Sequence, residues 1–549
     1  MKRALIIVGV IAALLVGGWF AIGGRTGLLL IAASMRKPDV APNREVAWMP
    51  GPDARAAGDA RPNIIVILAD DLGFNDITFY GGGVAGGRVP TPNIDAIARN
   101  GVNFTRGYAG NATCAPSRAA LVTGRYSTRF GFEFTPTSPE FAKVVGHFEL
   151  GFQPTIYHED REPLVPPMAE MGVPASEETI GEMLSRAGYH TIHLGKWHLG
   201  ETPGANTPAD MGFAESLGFY AGASLFLEED DPNVVNSKQE FDPIDLVLWA
   251  ALPWAVKYNG GDWFEPRGYM TDYLTEEAIA AAKANRNRPF FMYLSYNTVH
   301  TPLQALKSDY DALSFISDHT LRVYAAMVKN LDDNVGRLIA ALKAEGLYEN
   351  TLIVFTSDNG GANYIGLEGL NDPWRGWKAT FFEGGIRVPF FMQWPGRIPE
   401  GATYENAISH FDVFATSAAA AGVSLPADRI IDGVDLLPFI TGERAGLPHE
   451  TLFWRSGPYK VVMHGDWKLQ VTETPRKDWL YNLAADPGEK NNLASAMPEK
   501  VAELRAMLEA HDAQQVDPIW PALVEGPFAL DRPLGKPPVP GEEYIYWSN

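Results

Sequence analysis

The chain has 549 residues, with 45 Lys+Arg against 66 Asp+Glu for a formal charge of −21, and one cysteine; 46% of it is aliphatic or aromatic and 20% charged. That composition is globular rather than disordered, with space for a large core and two to four domains at roughly 100–200 residues each. The acidic balance excludes a general nucleic-acid binder, since phosphates would be repelled from most faces, and one cysteine excludes an intrachain disulfide or a multi-cysteine metal site.

Lys2 and Arg3 precede an uncharged run from Ala4 to Gly24. At about twenty residues it is long enough to cross a hydrocarbon core and longer than the ~7–15 residues of a secretory h-region. After Arg25 a second apolar piece, Gly27 to Met35, ends at Arg36 and Lys37. Positive charge therefore flanks both ends and orients the segment only weakly. With no clean small-x-small cleavage site, residues 1–37 read as an uncleaved membrane anchor in preference to a removed signal. Either way the body is exported, periplasmic or extracellular, and secreted if the segment is cut. Residues 38–62, rich in Pro, Ala, Gly and Arg, read as a tether.

From Asn63 short apolar runs alternate with helical patterns. Ile64–Ala69 is continuous enough for a parallel strand buried on both faces. Thr91-Pro92 caps a short helix that stops at Gly101. Ser176 opens another, ending at Gly188 and followed by the strand-like His190–Leu194; Phe290–Leu294 is a third strand. Val328, Leu331, Val335, Leu338 and Leu342 mark one face of an amphipathic helix that Gly346 terminates. Leu352–Phe355 and Val388–Met392 are further strands. This alternation predicts an α/β fold, a doubly wound and mostly parallel sheet over 63–445. Over 446–549 a smaller α+β domain is expected: Tyr459–Met463, Trp467–Val471 and Trp479–Tyr481 suit a small antiparallel sheet, covered by a helix near Pro498–Ala513. The Pro-rich residues 526–549 read as a surface wrap without a core of their own.

Ligands of open α/β sheets bind beyond the carboxyl ends of the strands. Here the first strand ends in Asp70-Asp71, the second runs into Gly195-Lys196-Trp197-His198, His300 follows the third, and Asp358-Asn359-Gly360 follows the fourth. Any one of these could be a solvated loop; four converging sets are hard to read that way. Asp70, Asp71, Asp358 and Asn359 are hard oxygen donors of the kind Ca²⁺ or Mg²⁺ selects. The cysteine lies in Cys114-Ala-Pro-Ser-Arg118, followed by Ala-Ala-Leu-Val-Thr-Gly-Arg125. Pro116 suits a first helical turn, placing residue 114 at a helix N-terminus that favours an anion. Gly81-Gly-Gly-Val-Ala-Gly-Gly87 lacks the Gly-Lys-Ser/Thr ending of a phosphate loop and reads as a plain loop.

These motifs resemble the type I, formylglycine-dependent sulfatases of the alkaline phosphatase superfamily, arylsulfatase-like members included. Cys-x-Pro-Ser-Arg with the trailing Thr-Gly-Arg is similar to the signature that directs conversion of cysteine to Cα-formylglycine (3-oxoalanine). Thr91-Pro-Asn-Ile-Asp95, Gly195-Lys-Trp-His-Leu-Gly200, His300-Thr-Pro302, Ser357-Asp-Asn-Gly360 and Lys378 within Arg375–Pro389 follow in the family's order. Trp479-Leu-Tyr-Asn-Leu, Asp486-Pro-Gly-Glu489 and Asn491-Asn-Leu493 resemble its C-terminal domain.

The resemblance implies a sulfuric ester hydrolase acting on aryl or carbohydrate sulfates. One hydroxyl of the hydrated aldehyde at 114 attacks sulfur and the alcohol leaves; the second hydroxyl then expels sulfate, splitting one difficult displacement into two steps. The cation, Ca²⁺ or alternatively Mg²⁺, is held by Asp70, Asp71, Asp358 and Asn359 with residue 114 completing the set. Lys196 and Lys378 suit the sulfate oxygens and neutralise charge that grows in the transition state. Arg118, on the helical face of residue 114, holds the hydroxyl that does not attack; His300 protonates the leaving alkoxide while also touching substrate. His198 either takes a proton or orients the diol. The implied partners are a sulfated small molecule or glycan, a formylglycine-generating enzyme during maturation, and a membrane through the N-terminal segment.

Two other readings stay open. A phosphonate or phosphodiester hydrolase with a formylglycine would share the fold, although a two-metal phosphatase needs a histidine where Asn359 stands. A non-catalytic, anchored carbohydrate-binding protein would not need Cys114, Lys378 and His300 together. Motif context looks closest to aryl- and N-acetylgalactosamine-4-sulfatase-like members. Residues 132–175 and 226–266 are the expected specificity loops. The second contains an apolar stretch, 245–256, that is either a buried helix or a lip for membrane or an apolar aglycone.

Overall fold

In the computed structural model, which describes residues 34–35, 37–147 and 153–549, the strand Asn63–Ala69 (β1) is buried over its whole length. Its residues alternate between two cores, as the two-residue period of a strand requires. Ile65 and Ile67 join one apolar cluster; Ile64, Val66 and Leu68 join the other. The other strands of its sheet are Val102–Phe104 (β2), His190–Lys196 (β3), Glu215–Phe219 (β4), Lys257–Tyr258 (β5), Phe290–Ser295 (β6), Thr351–Ser357 (β7), Phe390–Gln393 (β8) and Ala402–Tyr404 (β9). They lie in the order β9-β2-β8-β7-β1-β6-β3-β4-β5. From β7 to β4 every pairing is parallel, whereas β8 runs antiparallel to both β7 and β2, and β5 antiparallel to β4.

Helices cover both faces, so the sheet is doubly wound as the alternation predicts. Pro92–Arg99 (α1), Met270–Ala284 (α5) and His319–Ala344 (α6) fill one core. Cys114–Thr123 (α2) and Ile180–Arg186 (α3) fill the other. Pro243–Ala251 (α4) lies between them in sequence. The expected stripe of α6, from Val328 to Leu342, is at most 1% exposed. Asp318 caps the helix by accepting a 2.8 Å bond from Leu321 N–H.

Several boundaries differ from the sequence reading. Helix α3 begins at Ile180, not Ser176, because Thr179 and Glu182 form a reciprocal capping box: the Thr179 hydroxyl accepts from Glu182 N–H at 3.2 Å and the Glu182 carboxylate from Thr179 N–H at 2.8 Å. Thr91 precedes α1 but does not cap it. Its hydroxyl donates to Asp95, and the free N–H groups of Asn93 and Ile94 go to the Asp332 carboxylate of α6, at 3.0 and 2.8 Å. The strand expected at Val388–Met392 starts at Phe390, since Pro389 has no N–H to pair.

Two segments read as peripheral contribute side chains to the cores of the body. Residues 38–62, read as a tether, are laid against the domain. Ala41 bridges Phe264, Met49 N–H donates to Glu215, and Trp48, 8% exposed, donates its indole N–H to Glu277 at 2.8 Å. At the other end Val524–Ala529 pairs with Tyr544–Ser548, and Ile545 and Trp547 enter the same core as Phe381 and Phe382. The small sheet adds a strand to the three expected: Thr451–Ser456, Tyr459–His464, Trp467–Glu473 and Arg476–Asn482 form an antiparallel meander. Val462, Leu469 and Leu480 pack under Leu504 and Leu508 of the helix Pro498–Asp512, while Trp454, Tyr459 and Tyr481 face the large domain.

The apolar run from Ala4 to Gly24 falls outside the described residues, as does the greater part of the second apolar piece. Among the described residues no helix is long and apolar enough to cross a membrane. Residues 245–256 are a helix and its exit; Val247, Trp249 and Leu252 are buried and Leu246 and Leu248 half-buried.

Candidate active site

The parallel register brings the strand ends level. Ala69 pairs with Ser357, Leu68 with Ser295, and Ser295 with Gly195, so the residues that follow these strands open onto one place. Gly195 is required there: a Cβ would come within 2.0 Å of the Ser295 carbonyl oxygen, and its φ is +92°. Beyond the strand ends Asp71, His198 and Ala379 all adopt left-handed backbone, with φ of 60°, 60° and 64°, a conformation that clusters where side chains are aimed for function.

Cys114 begins α2, which places its Sγ at a helix N-terminus as the Pro116 reading expects. The sulfur lies 3.7 Å from Asp70 Oδ1 and 3.9 Å from Asp71 Oδ1. One ligating atom from each of Asp70, Asp71, Cys114 and His300 falls within a cluster 4.8 Å across. Arg118, one turn along α2 and fully buried, crosses to β7: its Nε donates to Asp358 Oδ2 at 2.8 Å, its Nη2 is 2.7 Å from the same oxygen and 3.4 Å from Asp70 Oδ1. Lys196 Nζ sits on both oxygens of Asp70, at 2.9 and 2.8 Å. Lys378 Nζ does the same to Asp71, at 2.7 and 2.9 Å. Asn359 donates its Nδ2 to Asp71 Oδ1 at 2.8 Å. Asp70, Asp71, Cys114, Arg118, Lys196, His300, Asp358, Asn359 and Lys378 thus lie together in one buried cluster, and His198, also buried, stands near enough to Lys196 and Arg118 to feel their charge.

The electrostatics follow from burying this many charges. Burial, reinforced by Asp358 and partly offset by Lys196, pushes Asp70 up to about 8. Burial also acts to raise Asp358, yet Arg118 and Lys196 outweigh it and hold the carboxyl at about 2. Asp71 is driven below the usual carboxylate range because Lys378 and His300 overcome its burial. Lys378 goes far up despite burial, through Asp71. His300 is lowered by burial and by Lys378, against the pull of Asp71, whose Oδ2 is 3.7 Å from its Nε2. His198 drops well below its usual value through burial and the nearby Lys196 and Arg118.

The donor set fits a hard divalent cation. Asp70, Asp71 and Asp358 are buried carboxyl groups, hard oxygen donors that meet at the strand ends beside Lys196, Lys378, Arg118 and His300. Beside them the Asn359 Oδ1, on a residue of zero exposure, has no hydrogen-bond partner. Leaving such an acceptor unpaired costs about 1–3 kcal/mol, and a cation coordinated by oxygen would satisfy it.

Two neighbours were not anticipated. Tyr364 donates its hydroxyl to Asp71 Oδ2 at 2.8 Å and accepts from Lys378 at 2.9 Å; it stands in a short turn, Asn363–Ile365, with no motif to mark it. Ser295, which accepts from Arg118 Nη1, ends β6 and was within reach of the strand-end rule.

An α/β sheet here gathers carboxylates, lysines and histidines around one cysteine at its strand ends, and comparison with known proteins gives the class. The Sulfatase family profile matches residues 62–423 and an N-sulphoglucosamine sulphohydrolase C-terminal profile matches 375–515. The chain belongs to the sulfatase family, and it is an enzyme of sulfate ester hydrolysis. Relatives include the N-acetylgalactosamine-6-sulfatase of Rattus norvegicus, 32% identical over 422 residues (76% of this chain, 72% of the relative), and the steryl-sulfatase of Mus musculus, 31% identical over 562 (84% and 83%). Among solved structures, Ps i-CgsB in complex with k-i-k-neocarrahexaose aligns at 30% identity with a TM-score of 0.69, covering 84% of this chain and 94% of that one. The phosphonate monoester hydrolase of Agrobacterium radiobacter shares the fold, with 20% identity, a TM-score of 0.56 and 82% and 96% coverage.

Proposed function

We propose that the protein cleaves sulfate monoesters of carbohydrate or aryl alcohols, using a formylglycine derived from Cys114 and one divalent cation, Ca²⁺ or Mg²⁺. The observation that carries the reading is the position of Cys114 Sγ, at a helix N-terminus and 3.7 and 3.9 Å from two strand-end aspartates. Asp70, Asp71, Asp358 and Asn359 would hold the cation, with residue 114 beside them. When bound, cation and hydrated aldehyde supply Lewis-acid polarisation of a sulfate oxygen and an oxygen nucleophile with a second hydroxyl for sulfate release.

The chain's own side chains do the rest. Lys196 and Lys378 lie against the carboxylates that flank the sulfate position, and their ammonium groups bind its remaining oxygens as negative charge builds there. Arg118 is immobilised by Asp358 and Ser295, which fixes it to orient a hydroxyl on residue 114. His300 turns Nδ1 to the Thr301 carbonyl and leaves Nε2 toward Asp71, the nitrogen from which it protonates the leaving oxygen. Burial and the Lys378 charge hold His300 down, and an arriving sulfate offsets the second of these. His198, kept neutral by burial and by Lys196, accepts a proton; its Nδ1 has no partner.

The test is mass spectrometry of the peptide Gly107–Arg118 from protein made with a formylglycine-generating enzyme, expected to show the aldehyde. An unmodified thiol in a preparation that still turns over sulfate esters would sink the mechanism. Phosphonate and phosphate diesters assayed beside sulfate esters should be the slower substrates; the reverse order would move the protein to the alternative activity. A panel of sulfated sugars, steroids and aryl esters then resolves the alcohol. Residues 1–37 would anchor the exported catalytic domain, and protease accessibility in intact cells reads its side of the membrane.

A further inference from the structure

His300 is held from a direction outside the charge cluster. The residue after it, Thr301, is 1% exposed and donates its hydroxyl to Asp245 Oδ1. Asp245 comes from α4, in the 226–266 segment, and has zero exposure. Its other oxygen accepts from Gln239 N–H at 2.7 Å and from the Trp249 indole N–H at 3.0 Å. A carboxylate so deep is costly unless its oxygens are all hydrogen-bonded, and one of the bonds it receives reaches the backbone that carries the imidazole.

The rest of that backbone is tied to the same segment. Leu303–Leu306 pairs antiparallel with Val234–Ser237. Gln304, fully buried, accepts from Phe226 N–H at 2.8 Å and donates to Asn236 Oδ1 at 2.9 Å. On the near side His300 N–H donates to the Asn297 carbonyl at 2.9 Å. The imidazole therefore stands between one anchor in the sheet's own loop and one in the 226–266 segment.

We propose that Asp245 is a positioning residue for the His300 imidazole, acting through the Thr301 hydroxyl, so that an element of the 226–266 segment sets the aim of the general acid. This rests on the reading that His300 protonates the departing alkoxide as the sulfur–oxygen bond breaks. A group that only donates that proton matters most when the alcohol is a poor leaving group. A residue that merely braces the fold changes all substrates alike.

The experiment measures kcat/KM on the mature, cation-loaded enzyme for esters running from 4-nitrophenyl sulfate to a simple alkyl sulfate. His300→Ala is the control and should lose about 10²-fold or more on the alkyl ester and far less on the nitrophenyl ester. If His300→Ala falls uniformly, the role given to His300 is wrong, whatever Asp245 does. With that control in place, Asp245→Asn and Thr301→Val should each lose about tenfold on the alkyl ester and at most about threefold on the nitrophenyl ester. The double variant should be no worse than the singles, because one linkage is cut twice, and Thr301→Ser should restore the wild-type pattern. Equal losses across the series, or none, overturn the inference. Should Asp245→Asn fail to fold, the Thr301→Val and Thr301→Ser pair decides it alone.

Discussion

Two buried charge clusters can be set side by side. One is the active site, where Asp70, Asp71 and Asp358 face Lys196, Lys378 and Arg118. The other joins the large domain to the C-terminal sheet: Lys468 bridges Glu383 at 2.8 Å and Glu489 at 3.0 Å, all three with zero exposure. There Glu383 also accepts from Tyr108 at 2.9 Å and pairs with Arg387 at 3.2 Å, while Glu489 accepts from Glu383 N–H at 2.6 Å and Gln470 at 2.9 Å. None of the polar side-chain atoms of those residues is left without a partner, whereas the active site keeps Asn359 Oδ1 and His198 Nδ1 unpaired. Burial of charge alone therefore does not mark a functional site. What sets the active site apart is that an unpaired acceptor, Asn359 Oδ1, belongs to a side chain already bonded to one of the clustered carboxylates.

The comparison breaks most sharply at Cys114. Cys114→Ala should reduce turnover by about 10³-fold or more while leaving the unfolding midpoint close to wild type, measured by assay and thermal melt on the same preparation. At the junction the order reverses. Lys468→Met strands two buried carboxylates and should cost about 3–5 kcal/mol of stability, read by denaturant unfolding, with turnover per folded molecule changing far less. An activity loss at Lys468 as deep as at Cys114 would erase the distinction. Chelation should abolish activity reversibly, and restoring Ca²⁺ or Mg²⁺ at a hundred times its Kd should return about 2.7 kcal/mol of stability; Lys468→Met should still respond, because its lesion is elsewhere.

The smallest effect is in pH. Glu383 and Glu489 share Lys468, but only Glu383 also has Arg387, so burial and the neighbouring Glu383 push Glu489 up to about 7 against the pull of Lys468. An acid whose folded pKa lies above its unfolded 4.5 binds its proton more tightly when folded. Its stabilisation is complete below about 4.5 and is lost as the pH rises through about 7. Glu489→Gln, followed by denaturant unfolding between pH 4.5 and 8, should flatten that decline; an unchanged slope would show that another group carries it.

Much of the site was legible because it follows strands whose apolar runs are continuous. β1, β3, β6 and β7 were found that way, and with them Asp70, Asp71, Lys196, His300, Asp358 and Asn359. Cys114 and Arg118 were legible from spacing on a helix that Pro116 helps to start. Tyr364 was not, because a tyrosine in a short turn has no local signal for the carboxylate it will meet. Nor was the capping of α1 by Asp332, a residue 239 positions from Asn93.

The sequence by itself determined the alternation of strands and helices, the stripe of α6, and the order of polar residues at the strand ends, since those depend on periods of two and 3.6 residues and on neighbours along the chain. Only the tertiary structure decided that Trp48 would be buried and that 524–529 and 544–548 would pair into a sheet, that β8 would run antiparallel, and that Lys468 and Asp245 would lie buried against partners far away in sequence. Those outcomes depend on which surfaces meet, and a polar group can be buried only where the fold brings it a partner.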